Sequence, residues 1–493
     1  MKHIESLLDR VFPDGMNPLY HLGGLSYYFF WILTFTGLYL FVFFETSLNG
    51  AYLSMEAITH EQYYIGGIMR SIHRYASAAM AVTVTLHLIK EMSMKRFHGP
   101  RMFSWFSGVP LLWLLFASAI GGYWLVWDDR AQYVAQTTAR LFDALPIVVE
   151  PMAFGFMRHE VVSDRFFSLL IFLHIGIPLA LLLGMFIHIQ RISQSKSLPP
   201  KKMSMVVLAA LTILSIISPA TSGPPADLNQ PLQEVQLDWF YMNFFPLVEA
   251  AGPFVTWVLL LGVTGLLLIL PILVREPEVP IARVDPDYCN GCGWCFADCP
   301  YDAIYMKPHD FRPNHRQSVV VTDKCVGCGI CAGACPTATP FKTVNKSFSG
   351  INLTDLSNAA ILENIVGLVN RLESDRRILV VGCEHGADIN SLAAPDVAVL
   401  QLACIGQLPP SYMDFLCRKE SVDSIVLTGC AAGDCFHRLG NKIQDLRLAH
   451  EREPHLRFKD VKPRVSTVWA AGDMLSHLRR KIDQLRQAND HAA

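Results

Sequence analysis

Four histidines stand inside apolar stretches of this chain: His73 and His87 in one, His174 and His188 in another, each pair 14 residues apart. A helix advances about 1.5 Å and 100° per residue, so 14 residues move a side chain roughly 21 Å along the axis and return it to nearly the same face. Two helices running in one direction then set His73 level with His174, and His87 level with His188. Each level offers two imidazoles from facing helices, the arrangement that grips the iron of a haem b from both sides. The bland alternative is polar packing inside a bundle. Four matched imidazoles, in segments where each is costly, favour metal. Glycines repeat the interval, Gly23 with Gly37 and Gly108 with Gly122, which leaves room for a flat ring against backbone. Arg70, Arg74, Lys90 and Arg191 lie near the ends of these stretches, either as partners for haem propionates or as snorkelling anchors.

Cysteine makes a second constellation. None of the 13 precedes Cys289, and eight fall within 289–335. Cys289, Cys292, Cys295 and Cys299, followed by Pro300, form a C-x2-C-x2-C-x3-C-P run, and Cys325, Cys328, Cys331 and Cys335, followed by Pro336, repeat it. That doubled run is the pattern of two [4Fe–4S] clusters in which each fourth cysteine serves the other cluster. One set is Cys289, Cys292, Cys295 and Cys335; the other is Cys325, Cys328, Cys331 and Cys299. Soft thiolates also hold zinc, but the doubled motif with both prolines argues against it. Three further cysteines, Cys383, Cys404 and Cys430, each end a β-branched stretch, and Cys435 follows five residues later. In a parallel sheet ligands gather beyond the carboxyl ends of the strands. Four thiols on one sheet edge suit a further iron–sulfur cluster, with unrelated buried thiols as the alternative. Cys417, on a helical stretch, reads as core.

These groups need two kinds of scaffold. Of the 493 residues 52% are hydrophobic and only 17% charged, well below the roughly 25% of a soluble chain. Six stretches approach the roughly 20 residues that span a bilayer, at 25–44, 72–91, 109–127, 166–190, 203–220 and 253–274. Lys90, Lys95, Arg96 and Arg101 flank one side of this array, with Arg191, Lys196, Lys201, Lys202 and Arg275. Glu45, Glu56, Glu61, Asp227, Glu234 and Asp238 mark the other. Positive charge stays inside, so six spans place both termini in the cytoplasm. The first 24 residues lack the order of a signal peptide. Reduced, metal-spaced cysteines agree with a cytoplasmic location for the second half. From Arg376 short strands (ILVVGC, VAVLQLAC, SIVLTGC, RVSTVWAA) alternate with helical stretches, which predicts a parallel α/β sheet. The net charge of −2 gives no footing for nucleic acid.

Around the histidines the chain resembles cytochrome b of the bc-type quinol-oxidising complexes. RSIHRYASA at His73, GGYWLVWDDRAQYVA, RLFDALPIVVE and Pro178 carry the resemblance, which covers most of 20–250. It implies two haems b, a quinone site near each membrane face, a homodimer, and a multi-pass protein of the inner membrane. The family's Pro-Glu-Trp-Tyr motif, whose glutamate accepts a quinol proton, reads Leu237-Asp238-Trp239-Phe240 here. Asp238 is thus the candidate catalytic acid, a solvated loop carboxylate being the alternative. GCAAGDCFHRLGN resembles the signature of the methyl-viologen-reducing hydrogenase delta-subunit family over about 376–470, and implies a [2Fe–2S] cluster on Cys404, Cys430, Cys435 and Cys383. It departs from that family at Phe436-His437 and in the cysteine-poor run Val380–Cys383.

The expected architecture is multi-domain: an all-α six-helix transmembrane bundle, an α+β ferredoxin domain and an α/β parallel-sheet C-terminal domain. Residues 1–200 form the four-helix di-haem part, 201–278 a two-helix membrane segment, 279–345 the two-[4Fe–4S] ferredoxin domain, 346–375 a linker, and 376–493 the hydrogenase delta-subunit-like [2Fe–2S] domain. Every cofactor expected here works in one-electron steps, and no nucleotide fingerprint such as G-x-G-x-x-G is present. The expected function is electron transfer between the quinone pool and a cytoplasmic flavoprotein. A membrane anchor with structural or sensory metal centres is the alternative.

Overall fold

The computed structural model describes the chain apart from residues 1–3, 5–6, 9–10, 13–15, 99–100, 147–161, 191–196, 231–234, 239, 275–278, 343–347, 375, 421, 432–433, 471–473 and 491–493. Arg191, Lys196, Glu234, Trp239 and Arg275 therefore lie outside the described residues. Two compact units divide the chain: His21–Ile192 with Lys196–Arg275, and Glu276–Ala493 with Met1–Tyr20 and Ser193–Ser195.

The first unit is helical: α1 (Leu22–Phe43), α2 (Gly50–His60), α3 (Ile68–Ser93), α4 (Met102–Val126), α5 (Asp129–Asp143), α6 (Asp164–Gln190), α7 (Lys201–Ile217), α8 (Phe245–Ala251) and α9 (Pro253–Leu273). Among the described residues four helices are long and apolar enough to cross a membrane: Pro18–Phe43, Met102–Val126, Asp164–Ile189 and Pro253–Leu273. The other two expected spans are helices that fall short for different reasons. Over its 26 residues α3 carries Arg70, His73, Arg74, His87 and Lys90, and α7 is only 17 residues long. Large apolar side chains face outward on these helices, among them Phe35, Phe172, Leu179, Ile217 and Phe254. A water-soluble bundle hides such a surface; a lipid-facing one presents it.

The packing follows the histidines. Helix α1 lies along α3, and α4 along α6. A loop then closes one end. Asp128 caps α5 by accepting from the Ala131 amide at 2.9 Å, and its other oxygen accepts from Gly223 N at 3.0 Å. The Ala226 amide reaches Trp127 O at 3.1 Å and the Asp129 amide Pro224 O at 2.8 Å. Gln132 completes the clasp, exchanging bonds with both backbone groups of Asp227 at 2.9 and 3.0 Å.

The second unit holds two antiparallel strand pairs and a four-stranded sheet. Strand β1 (Ala282–Val284) pairs with β4 (Ile351–Leu353), and β2 (Ile304–Pro308) with β3 (Arg316–Val320). Helices α10 (Trp294–Asp298) and α11 (Ile330–Gly333) lie within the two cysteine runs and carry Cys295 and Cys331. The sheet, in the order β6 (Val397–Leu402), β5 (Ile378–Cys383), β7 (Ser424–Gly429), β8 (Val465–Trp469), is parallel throughout. Helices α12 (Asn358–Val369) and α13 (Pro410–Lys419) contribute to the core on one face, and α15 (Leu475–Asp490) to that on the other; α14 (Gly440–Leu448) precedes β8. Leu379, Val381, Leu416 and Ile425 are fully buried, each stabilising the fold by about 1.5–3 kcal/mol. The described part of the expected linker 346–375, residues 348–374, is structured instead. It supplies β4 and α12, because Ser357 caps the helix through the Ala360 amide at 3.2 Å and Ile361, Ile365 and Val369 pack on the sheet.

Candidate functional site

The membrane-type unit brings the histidines together in the expected pairs. His73 and His174 face each other with ring centres 6.4 Å apart. Two imidazoles bound to one metal at about 2 Å each stand roughly this far apart, so the gap fits an iron atom. His87 and His188 are likewise neighbours at the second level. His73, His174 and His188 are oriented through Nδ1. The Thr36 hydroxyl donates to Ile32 O at 2.8 Å and meets His73 Nδ1 at 2.9 Å, which makes it the acceptor of an Nδ1–H. Ser107 repeats the device, bonded to Ser104 O at 3.1 Å and to His188 Nδ1 at 3.0 Å. His174 Nδ1 donates to Ser118 O at 3.0 Å, and His87 Nδ1 lies 4.0 Å from a Glu91 carboxylate oxygen. With Nδ1 carrying the proton, Nε2 keeps its lone pair, as a metal ligand must.

The glycines do a narrower job than expected. A methyl at Gly37 meets His73 Cε1 at 3.1 Å, at Gly122 His174 Cε1 at 3.0 Å, at Gly108 His188 Cε1 at 3.4 Å and at Gly23 His87 Cε1 at 3.5 Å. Each glycine seats one imidazole, so the ligands themselves need the missing side chains. Around the His73–His174 pair opens a cavity of about 430 Å³, lined also by Gly37, Gly122, Arg70, Arg74 and Asp238.

The cations beside this cavity have protein partners. Arg70 donates to Thr59 and, at 2.7 Å, to Ser222, with Glu56 at 3.6 Å. Arg74 pairs with Asp238 at 3.2 Å and lies over the Tyr123 ring. Lys90 is buried. Asp238 is no solvated loop carboxylate. It is buried, and its second oxygen accepts from the Phe240 and Tyr241 amides at 2.8 and 3.0 Å. Thr36, Ser107 and Glu91 escaped the sequence reading, although Thr36-Gly37 and Ser107-Gly108 share one dipeptide pattern.

The two ferredoxin sets lie side by side. Cys295 interacts with Cys335, Cys292 and Cys289; Cys331 with Cys328, Cys299 and Cys325, and across the sets with Cys295. A small cavity is lined by Cys299, Cys325, Cys328 and Cys331. Burial pushes the Cys295 thiol up to about 11 and that of Cys328 up to about 12. Loading either site therefore releases protons to the solvent. Cys383, Cys404, Cys430 and Cys435 also converge. Hydrogen bonds join Cys383 to Cys430, Cys430 to Cys435 and Cys435 to Cys404. Bonds from Cys404 and Cys430 hold Cys435 well below the usual thiol range, while those two are raised. Among the described residues no three His, Cys, Asp or Glu side chains close around a single metal ion. Ligands of a polynuclear cluster bind different irons and stand further apart, so these donor sets fit clusters. Cys417 sits in the core.

Known proteins resemble the chain in the same places. The Cytochrome b/b6/petB family matches residues 7–196, and the 4Fe-4S dicluster domain matches 282–341. Cytochrome b of Acanthamoeba castellanii is 25% identical over 295 residues, 54% of this chain and 75% of that protein. Cytochrome b6 of Euglena gracilis is 26% identical over 191 residues, 38% of this chain and 88% of that protein. Cytochrome b of Rhodospirillum rubrum is 27% identical over 192 residues, and the chain spans 46% of its length. A solved structure, the Hyperthermophilic respiratory Complex III, aligns with 21% identity and a TM-score of 0.43, over 52% of this chain and 76% of that one. The chain carries a cytochrome b/b6 domain followed by a 4Fe–4S dicluster ferredoxin domain.

Proposed function

We propose that this chain is the membrane electron-transfer subunit of an oxidoreductase complex, linking the quinone pool to a cytoplasmic flavoprotein of NAD(P)H-oxidoreductase or heterodisulfide-reductase type. The observation that carries the reading is the two levels of opposed imidazoles, each ring seated by a glycine and those of His73, His174 and His188 oriented through Nδ1. With two haems b, two [4Fe–4S] clusters and one [2Fe–2S] cluster bound, each site takes and gives one electron. The protein's part is to hold those sites in series: Cys383, Cys404, Cys430 and Cys435, then the two ferredoxin sets, then His87/His188, then His73/His174. Six helices cross the inner membrane, both termini and the iron–sulfur domains lie in the cytoplasm, and two copies associate as a homodimer. Arg74 holds Asp238 at the wall of the His73–His174 cavity, where its carboxylate takes a proton from a quinol entering there.

Hydride carriers deliver two electrons together, so a flavin on another subunit must stand between them and this chain. A reduced-minus-oxidised spectrum with pyridine haemochrome counting tests the membrane half: two b-type haems per chain are expected, and none or one defeats the reading. Docking a flavoprotein tests the other half. Cys430→Ser should stop haem reduction through the partner while dithionite still reduces the haems.

A further inference from the structure

We infer that electrons enter the ferredoxin domain from the C-terminal cysteine site through only one of its two sites, that of Cys299, Cys325, Cys328 and Cys331, and that the Asp298–Arg447–Arg452 cluster fixes the gap between them. The inference rests on the C-terminal cluster of the proposed function. One electron leaves one site as one arrives at the other, with no bond or proton exchanged.

The juxtaposition lies within the second unit. Cys328 and Cys404 belong to one apolar cluster with Ile330, Leu439 and Ile443. Cys328 is also close enough to Cys435 for their charges to interact, and Cys404 to Cys328. Cys292 and Cys295, of the other ferredoxin set, interact instead with Cys289 and Cys335. The contact is made tight by bare backbone. A methyl at Gly333 comes 2.8 Å from the Gln407 carbonyl carbon, and one at Gly406 comes 2.8 Å from Ile330 Cγ1 and 3.3 Å from Gly440 Cα. Only glycine allows such an approach.

Charge then locks the seam. Asp298, immediately before the ligand Cys299, is buried and bonded to the fully buried Arg447 at 2.8 Å. Its other oxygen takes Arg452, which also donates to Ala297 O at 2.8 Å. Arg447 reaches on to Gly406 O at 3.1 Å, two residues beyond Cys404. Arg438, three residues after Cys435, donates to Pro300 O at 3.1 Å. Each side's ligand-bearing loop is thus tied to the other's. A carboxylate and two guanidiniums removed from water keep a defined geometry, because separating them exposes an uncompensated buried charge. Electron tunnelling falls exponentially with distance, so a fixed short gap selects this pair of sites.

Electron paramagnetic resonance on the full chain tests the order. When dithionite reduces the ferredoxin sites, the signal of the C-terminal site should broaden through spin coupling. Cys292→Ala, which removes the far cluster, should leave that broadening; Cys325→Ala should abolish it. Because a ligand variant can lose both ferredoxin clusters, Arg447→Met gives a second arm, with iron retained and the broadening at least halved. Broadening lost in Cys292→Ala but kept in Cys325→Ala overturns the order, as does a wild-type C-terminal signal that never broadens. Undiminished broadening in Arg447→Met with full iron overturns the positioning role. Iron and sulfide that do not fall in Cys404→Ala overturn the C-terminal cluster itself, and this inference with it.

Discussion

The membrane-type unit and the cysteine-rich unit assemble their sites by opposite means. In the first, two helices each contribute two ligands at one interval, and Thr36, Ser107 and Ser118, which orient three of them, sit on the neighbouring helices α1 and α4. Everything is set by helical repeat. In the second, ligands of one site come from stretches as distant as Cys299 and Cys325, or Cys383 and Cys435, and only the fold unites them. Periodic sites tolerate a local change at one level without disturbing the other. The two ferredoxin sets, which exchange their fourth cysteines, share a scaffold, so a change at one reaches the other.

The strongest break of the comparison is ligand removal. His174→Ala should lower haem content from about two per chain to about one, leaving the His87/His188 level spectrally intact. Loss of both haems is the outcome that sinks the independence of levels. Cys430→Ala should remove about two irons with their sulfide, leaving the ferredoxin clusters.

Smaller in effect is the seat of a ligand. Gly122→Val forces atoms against His174 at 3.0 Å or less and should cost about 1–3 kcal/mol of overpacking, with loss of haem at that level. Gly262, which has nothing within 4 Å, is the control: Gly262→Ala should bind both haems. Haem titration into each variant separates the two.

Asp238→Asn comes next. The variant keeps an oxygen for the Phe240 and Tyr241 amides but loses the charge facing Arg74, so a destabilisation of about 1–3 kcal/mol is expected. Quinone-linked turnover with an unchanged pH profile would remove the quinone role and leave Asp238 as a structural cap. The smallest effect is expected at Thr36→Val. Removing the acceptor of the His73 proton makes the ring a poorer electron donor, raising that haem's potential by about 1 kcal/mol, or roughly 40 mV for one electron. Redox titration that finds no shift, with haem retained, removes Thr36 from the ligand's support.

The same contrast explains what could be read from the sequence. The four histidines and four glycines were legible because helical geometry leaves one arrangement for a repeat of 14. The ferredoxin sets were legible because their spacing is local and doubled. The edge cysteines were placed by the strands that precede them, not by their own spacing. What escaped had ambiguous chemistry. Thr36 and Ser107 are ordinary small polar residues in a helix until the ring beside them is known. Residues 346–375 were read by their polarity, although Ser357 followed by Ile361, Ile365 and Val369 is a capped amphipathic helix. The α3 span is diluted by the very charges and imidazoles that give it a role.

One wall of the His73–His174 cavity comes from outside the family-matched part of the chain. Ala220, Thr221, Asp238 and Tyr241 line that cavity, yet all four lie beyond residue 196, where the cytochrome b family match ends. The clasp of Gly223, Ala226 and Asp227 on Trp127, Asp128 and Gln132 holds that segment in place. The part that matches the cytochrome b family therefore does not close this cavity alone: a chain ended at residue 196 lacks one of its walls together with the segment that the clasp holds.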